Sequence, residues 1–295
     1  MTFGLSSIQP FLESSDVREI MIVNGTDLWI DDHLGVRAVD TLTHAEVALL
    51  IEGMMRVSGR QVDHLHPILD AALPDGSRAC IVLPPVARHG ASITIRKFSP
   101  RVFPLVAFGS ETRCEELRSL VTSRRNVMVS GATGSGKTSL VSSITQLFEP
   151  NERIVCLEDT SEIRCVQPHF VALQTRPANQ EGSGEVTLHD LVRTSLRMRP
   201  DRVIVGEVRG AEVVDMLLAL GSGHTGSWST IHAASAIDTI DRLVALVLRH
   251  HRQWSVEDAR SLVATAVDAV VHVERTAGGR RRITDIHHVG SSSQQ

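Results

Sequence analysis

A glycine-rich segment, Gly131-Ala-Thr-Gly-Ser-Gly136-Lys137-Thr138, constrains this chain more than any other feature. It matches GxxxxGK[ST], follows the apolar run Asn126–Ser130 and precedes a stretch with helical spacing, Ser139–Phe148. That is the strand–loop–helix setting a phosphate-binding loop requires. The glycines let successive backbone N–H groups turn inward on phosphate oxygens, and the helix N-terminus adds its partial positive charge. In such a loop Lys137 reaches the β- and γ-phosphates and the Thr138 hydroxyl ligates Mg²⁺. Average residue frequencies give the pattern by chance in about 1% of chains this long, so a structural turn explains it poorly. The expected nucleotide-binding residues are Gly131, Ala132, Thr133, Gly134, Ser135, Gly136, Lys137, Thr138 and Ser139.

A phosphate loop needs carboxylates at the ends of neighbouring strands to hold the metal and order a water. Two apolar runs end in acids: Ile154–Leu157 in Glu158-Asp159, and Arg202–Val205 in Gly206-Glu207. Both place acids just past a buried strand, where open α/β sheets have their ligand crevice. An arbitrary acid there begins a loop or caps a helix; beside a phosphate loop the functional reading is preferred for Glu207 and Glu158, while Glu162 can equally be a surface residue. Two histidines, His224 and His232, flank the short strand-like run Gly226–Ile231. The glycines around them allow close backbone approach to a ligand, and His232 again follows a strand end. Phosphate sensing and plain packing both stay open for it.

A helix is expected from Glu111 to about Ser123, and after it apolar strands alternate with helices, which predicts a parallel, doubly wound α/β domain. The first part of the chain has a different pattern. Strand-like runs Val17–Val23 and Asp27–Ile30 flank the hairpin signal Asn24-Gly25, Thr43–Val57 has helical spacing, and Cys80–Leu83 and Ser92–Ile95 read as strands around the loop Pro84–Gly90. The expected organisation is a small α+β domain over 1–100, a linker over 101–116 next to Pro100 and Pro104, the P-loop domain over 117–290, and a disordered tail over 291–295.

Composition removes several function classes. Net charge is −4 and there is no tyrosine, so neither an electrostatic pull towards nucleic acid nor a base-stacking platform for single strands is expected. The run Arg280-Arg281-Arg282 reads as a solvated hairpin flank. No apolar run approaches a membrane span, and the N-terminus lacks the basic start and apolar core of a signal peptide; a cytoplasmic protein is expected. The four cysteines have no metal-site spacing and read as small buried residues.

The segments GATGSGKTSL, CLEDTSEI, SLRMRPDRVIVGEVRGAE and GSGHTGSWSTIHA reproduce, in order, the Walker A, acidic, Walker B and His boxes of the type II/type IV secretion ATPase superfamily. TRPANQEGSGEVTLHDLVRTSLRMRPDR and LPDGSRACIVLPPVARHGASITIRKF resemble one branch, the CpaF/TadA-like ATPases of Flp (tight adherence) pili. The resemblance implies a RecA-like P-loop ATPase domain behind a small α+β domain, with ATP and Mg²⁺ as its ligands. It implies a homo-hexamer at the cytoplasmic face of the inner membrane, held there through pilus platform proteins. It assigns Lys137 to the phosphates, Thr138, Glu158 and Glu207 to the metal, and Glu207 and Glu158 to catalysis, with His224 and His232 filling the His box. Arg78, Arg88 and Arg96 match basic positions that the family places near the phosphates. Longer CpaF-like proteins carry a helical segment ahead of the first domain, whereas this sequence begins almost directly at FLESSDVREIMIVNG; Trp228 is a bulky choice within the His box. The leading expectation is a pilus assembly motor. A traffic ATPase of a type IV secretion or conjugation system is the alternative, and a nucleotide-binding scaffold and a DNA motor are more distant ones.

Overall fold

The computed structural model describes residues 7–73, 75–98, 102–178, 182–276 and 279–290. The chain divides into two compact units, Met1–Arg101 and Val102–Gln295.

In the first unit, β1 (Glu19–Val23), β2 (Asp27–Asp32), β3 (Gly35–Thr41), β4 (Ile68–Ala72), β5 (Arg78–Val82) and β6 (Ser92–Arg96) form an antiparallel sheet in the order β3-β2-β1-β6-β5-β4. Beside them run a short α1 (Gln9–Glu13) and α2 (His44–Ser58). Alternation builds the core: Ile20, Ile22, Leu28, Ile30, Ile81, Ile93 and Ile95 all bury one side of their strands, together with Val47, Leu50 and Met54 of α2. Thr43 starts α2 with a capping box, its hydroxyl accepting from the Glu46 N–H while Glu46 accepts from the Thr43 N–H at 2.8 Å. Gly59, with φ 65°, ends it. The Asn24-Gly25 turn has positive φ at both residues, as a tight hairpin between β1 and β2 requires. β3 and β4 go beyond the sequence reading. Both are edge strands, and β3 is mostly exposed, so its sequence lacks the alternation that reveals the others.

In the second unit, β7 (Val127–Ser130), β8 (Ile154–Glu158), β9 (Phe170–Gln174), β10 (Arg202–Val205), β11 (Trp228–Ile231), β12 (Ala269–Arg275) and β13 (Arg281–His288) make a seven-stranded sheet in the order β13-β12-β7-β11-β10-β8-β9. Every pairing is parallel except β12 with the edge strand β13. The helices α3 (Glu111–Thr122) and α4 (Lys137–Ile144) share one core with the sheet, through Leu117, Val121, Leu140 and Ile144. The other core takes α5 (Leu188–Ser195), α6 (Glu212–Gly221), α7 (Ala236–His250) and α8 (Val256–Ala266), through Leu191, Leu217, Leu243 and Val263. Strands covered on both faces read as unbroken apolar runs, which is why β8 and β10 were legible. Trp228, in register with Val127 and Ile204 and only 1% exposed, fills the core on the α3–α4 side. That packing accounts for its bulk.

Residues 102–116 differ from the expected linker. They belong to the second unit, where Leu105, Phe108 and Cys114 are buried in the α3–α4 core. Pro104 stands in extended backbone just before a 3-10 turn, Leu105–Ala107, and the apolar residues Leu105 and Phe108 that follow it are buried. Residues 99–101 and the tail expected over 291–295 lie outside the described residues.

Candidate active site

β7 delivers Gly131 to the carboxyl end of a central strand, and α4 begins at Lys137. Gly131, Gly134 and Gly136 have φ of 151°, 73° and 103°, backbone that side-chain-bearing residues rarely adopt. Space adds a second requirement at two of them. A Cβ on Gly131 would run into the Val273 carbonyl and the Ser135 hydroxyl, and one on Gly136 would run into the Arg281 side chain. At Gly134 nothing lies near.

Lys137 is 6% exposed. Its Nζ donates to the carbonyls of Gly131 and Ala132, each at 3.0 Å, and to His232 Nδ1 at 3.1 Å. Burial lowers the Lys137 pKa, opposed by the negative charges of Glu207 and Glu162. An ammonium only donates, so Nδ1 of His232 accepts and its proton sits on Nε2. That Nε2 faces Glu207 Oε1 at 3.2 Å. Glu207 also meets Arg209 Nε at 3.4 Å, and the other arm of Arg209 reaches Asp159 Oδ2 at 3.3 Å. Glu212 holds the turn beneath, its Oε1 accepting from the N–H groups of Arg209 and Gly210 at 2.7 and 2.8 Å. Lys137, His232, Glu207, Arg209 and Asp159 thus form one polar chain along the carboxyl ends of β7, β11, β10 and β8. Arg209 and Asp159 were not singled out in the sequence. Their signal was position alone, two residues after Glu207 and one after Glu158.

Other expected residues take different places. Glu158 is 3% exposed. Its Oε1 accepts from the N–H groups of Glu162 and Ile163, both at 2.9 Å, and its Oε2 lies 3.6 Å from Cys156 Sγ. Through Oε1, Glu158 caps the turn that follows β8. Burial pushes its pKa up to about 7, against the lowering effect of the two backbone N–H groups. His224 precedes β11 and approaches the Ala219 carbonyl at 3.2 Å. It therefore stands at the amino end of a parallel strand whose carboxyl end carries His232, and within this chain it does not join the cluster. In the first unit, Arg78 and Arg96 are directly opposite on β5 and β6, Arg96 lies 3.7 Å from Glu19, and Arg88 is exposed in the loop between the strands. Arg281 is also not the solvated flank expected: its guanidinium lies over the Phe103 ring, 4.4 Å from the centroid.

The residues fit a magnesium nucleotide. The loop cannot accommodate side chains at Gly131 or Gly136, it holds a buried Ser135 hydroxyl with no hydrogen-bond partner among the described residues, and it opens onto the N-terminus of α4. Lys137, the Thr138 hydroxyl and Glu207 supply the cation, the neutral ligand and the carboxylate that such a ligand needs.

A profile of the Type II/IV secretion system protein family matches residues 3–290. The chain belongs to this family. Among secretion-family relatives, a putative conjugal transfer protein of Mycobacterium tuberculosis is 36% identical over 296 residues, covering 96% of this chain and 84% of the relative. The type IV secretion system protein PtlH of Bordetella pertussis is 34% identical over 318 residues, covering 96% and 94%. The VirB11 ATPase of the Brucella suis type IV secretion system, crystallised with sulphate, has a TM-score of 0.55 and 27% identity, covering 97% of this chain and 93% of that one. The expected fold class, a RecA-like α/β domain preceded by a small α+β domain, is the fold of this secretion-family chain. The resemblance to Flp pilus ATPases is narrower than these relatives support, since their names are those of conjugal transfer and type IV secretion proteins. Among the described residues no helix is long and apolar enough to cross a membrane.

Proposed function

We propose that this protein is an ATP-hydrolysing motor of a type IV secretion or conjugation system, working as a homo-hexamer against membrane components at the cytoplasmic face of the inner membrane. The observation that carries the reading is the convergence of Lys137, His232 and Glu207 beside a loop that tolerates no side chain at Gly131 or Gly136. The choice of machine rests on the names of the relatives at 34–36% identity. The Flp pilus reading has its own support in the segment TRPANQEGSGEVTLHDLVRTSLRMRPDR and stands second.

In this reading the N–H groups of residues 131–139 and Lys137 bind the phosphates, and Thr138 and Glu207 hold Mg²⁺. The metal's contribution, when bound, is to offset charge on the terminal phosphate oxygens. Glu207 accepts a hydrogen bond from a water and aims it at the terminal phosphorus. The water oxygen bonds to phosphorus, the bridging P–O bond breaks, and ADP leaves with its electron pair while the water's protons pass to phosphate and solvent. His232 joins Lys137 to Glu207, so a change at the phosphates reaches the carboxylate through one imidazole. Glu158 holds the turn that carries Asp159 beside Arg209. Arg78, Arg88 and Arg96 are proposed as further phosphate-binding groups, their forks suited to phosphoryl oxygens.

The test is phosphate release with Mg·ATP, measured alongside oligomer mass, for the natural protein and Glu207→Gln. Turnover by a hexamer that disappears in the variant while ATP binding persists supports the motor. Binding without hydrolysis in the natural hexamer overturns it in favour of a nucleotide-binding scaffold. Deleting the gene in its host decides the machine: loss of conjugal or effector transfer supports the first reading, and loss of surface pili alone supports the second.

A further inference from the structure

The flank of the phosphate loop opposite the acids carries a pair of residues that the mechanism above does not use. In the sheet order, Glu207 and His232 follow β10 and β11 on one side of β7, while β12 and β13 lie on its other side. Arg281, the first residue of β13, runs across the loop at Gly136, where its Cγ, Cδ and Nε fill the space a Cβ would need. Its guanidinium ends 4.4 Å over the Phe103 ring. Phe103 is itself tied to α4, because the Ser143 hydroxyl donates to its carbonyl at 2.6 Å. Its ring meets Phe108 edge-on, with centroids 6.4 Å apart. Arg281 and Phe103 are both half-buried, leaving part of each accessible.

With the terminal phosphate towards Lys137 and Glu207, a nucleoside extending to the opposite side of β7 lies towards β12 and β13. There it meets a flat cation lying against an aromatic ring, and such surfaces stack planar bases. The helix dipole disfavours a cation at the start of α4. A guanidinium bears that position better than an ammonium, because it is weakly hydrated and packs its face on a ring. We infer that Arg281 and Phe103 form the base-binding wall of the site, on which the base of the nucleotide stacks. The inference rests on the nucleotide reading proposed above.

Calorimetric titration of the full chain with Mg·ADP and with Mg·pyrophosphate separates the two readings. Expected is about tenfold weaker ADP binding in Arg281→Ala and in Phe103→Leu, with pyrophosphate affinity unchanged, because pyrophosphate has no base. Arg281→Lys keeps the charge, loses the stacking face and is expected to lose ADP affinity as Arg281→Ala does. Thermal unfolding of each variant checks that the fold persists, and Phe103→Leu keeps an apolar side chain if Arg281→Ala proves unstable. Equal loss of ADP and pyrophosphate affinity would mean that Arg281 contacts phosphate and would overturn the inference, as would ADP affinity that does not change in the variants. If the natural protein binds neither ligand, the nucleotide reading itself fails.

Discussion

His232 lies 3.2 Å from Glu207 through Nε2, while its Nδ1 accepts from Lys137 at 3.1 Å. One imidazole therefore joins the lysine proposed to bind phosphate to the carboxylate proposed to aim water. Its two nitrogens do different work, one accepting from an ammonium and the other facing a carboxylate. His232→Gln is expected to lower kcat for ATP about a hundredfold, the order of loss when a reacting group is misplaced by about an ångström, and to change ADP affinity much less. Steady-state kinetics beside ADP titration measures this; unchanged kcat would remove His232 from the mechanism.

The loop glycines differ in what limits them. Gly131 has both an unusual φ and a blocked Cβ direction, whereas Gly134 has the φ alone with open space around it. Gly131→Ala is expected to abolish nucleotide binding and to cost more than about 2 kcal/mol, while Gly134→Ala costs about 1 kcal/mol and folds normally. Denaturant midpoints rank the two, and equal costs would contradict the packing described for Gly131.

Glu158 makes stability depend on pH. Its folded pKa, about 7, is raised by burial above the ordinary value of 4.5. Below pH 4.5 it is protonated both folded and unfolded. Between 4.5 and 7 only the unfolded chain ionises it, so the stability held at low pH is lost as pH rises through that window and is absent above 7. The loss is on the order of 3 kcal/mol. Glu158→Gln keeps an oxygen for the N–H groups of Glu162 and Ile163 and removes the titration. The variant is expected to gain on the natural protein as pH goes from 5 to 8, and parallel stability curves over that range would show that Glu158 does not titrate there.

A buried ion pair fastens the other end of the sheet. Arg202, 3% exposed, donates to Glu152 through Nε at 2.7 Å and to the Gly226 carbonyl at 2.9 Å, and its guanidinium lies 4.3 Å over Phe148. Arg124 also pairs with Glu152. Removing one partner leaves the other charge buried, so Arg202→Ala and Glu152→Ala should each cost about 3–5 kcal/mol. Replacing both by methionine should cost less than either single change. Urea unfolding of the three variants tests it, and additive losses would mean the two residues are not coupled.

The phosphate loop was legible by itself because its chemistry is local: backbone N–H groups, a lysine and a hydroxyl must follow one another in the chain. Glu207 was legible because a strand buried on both faces is an apolar run whose end can be seen, and a phosphate loop in the same domain singles out an acid placed there. The sequence also determined the hairpin at Asn24-Gly25 and the span of α2, both governed by neighbours in the chain. That His224 and His232 flank one short strand was legible too, but only the tertiary structure joined His232 to Lys137 and Glu207 and turned His224 to the Ala219 carbonyl. It alone turned Glu158 inward, brought Arg209 and Asp159 into the polar chain, and laid Arg281 across Gly136. Residues 102–116, expected as a linker, joined the second unit for the same reason, since Phe108 and Cys114 find their partners in its α3–α4 core. These relationships follow from strand order and from which face of the sheet each helix covers. Both are set by contacts between segments far apart in the chain, which no local pattern of residue types encodes.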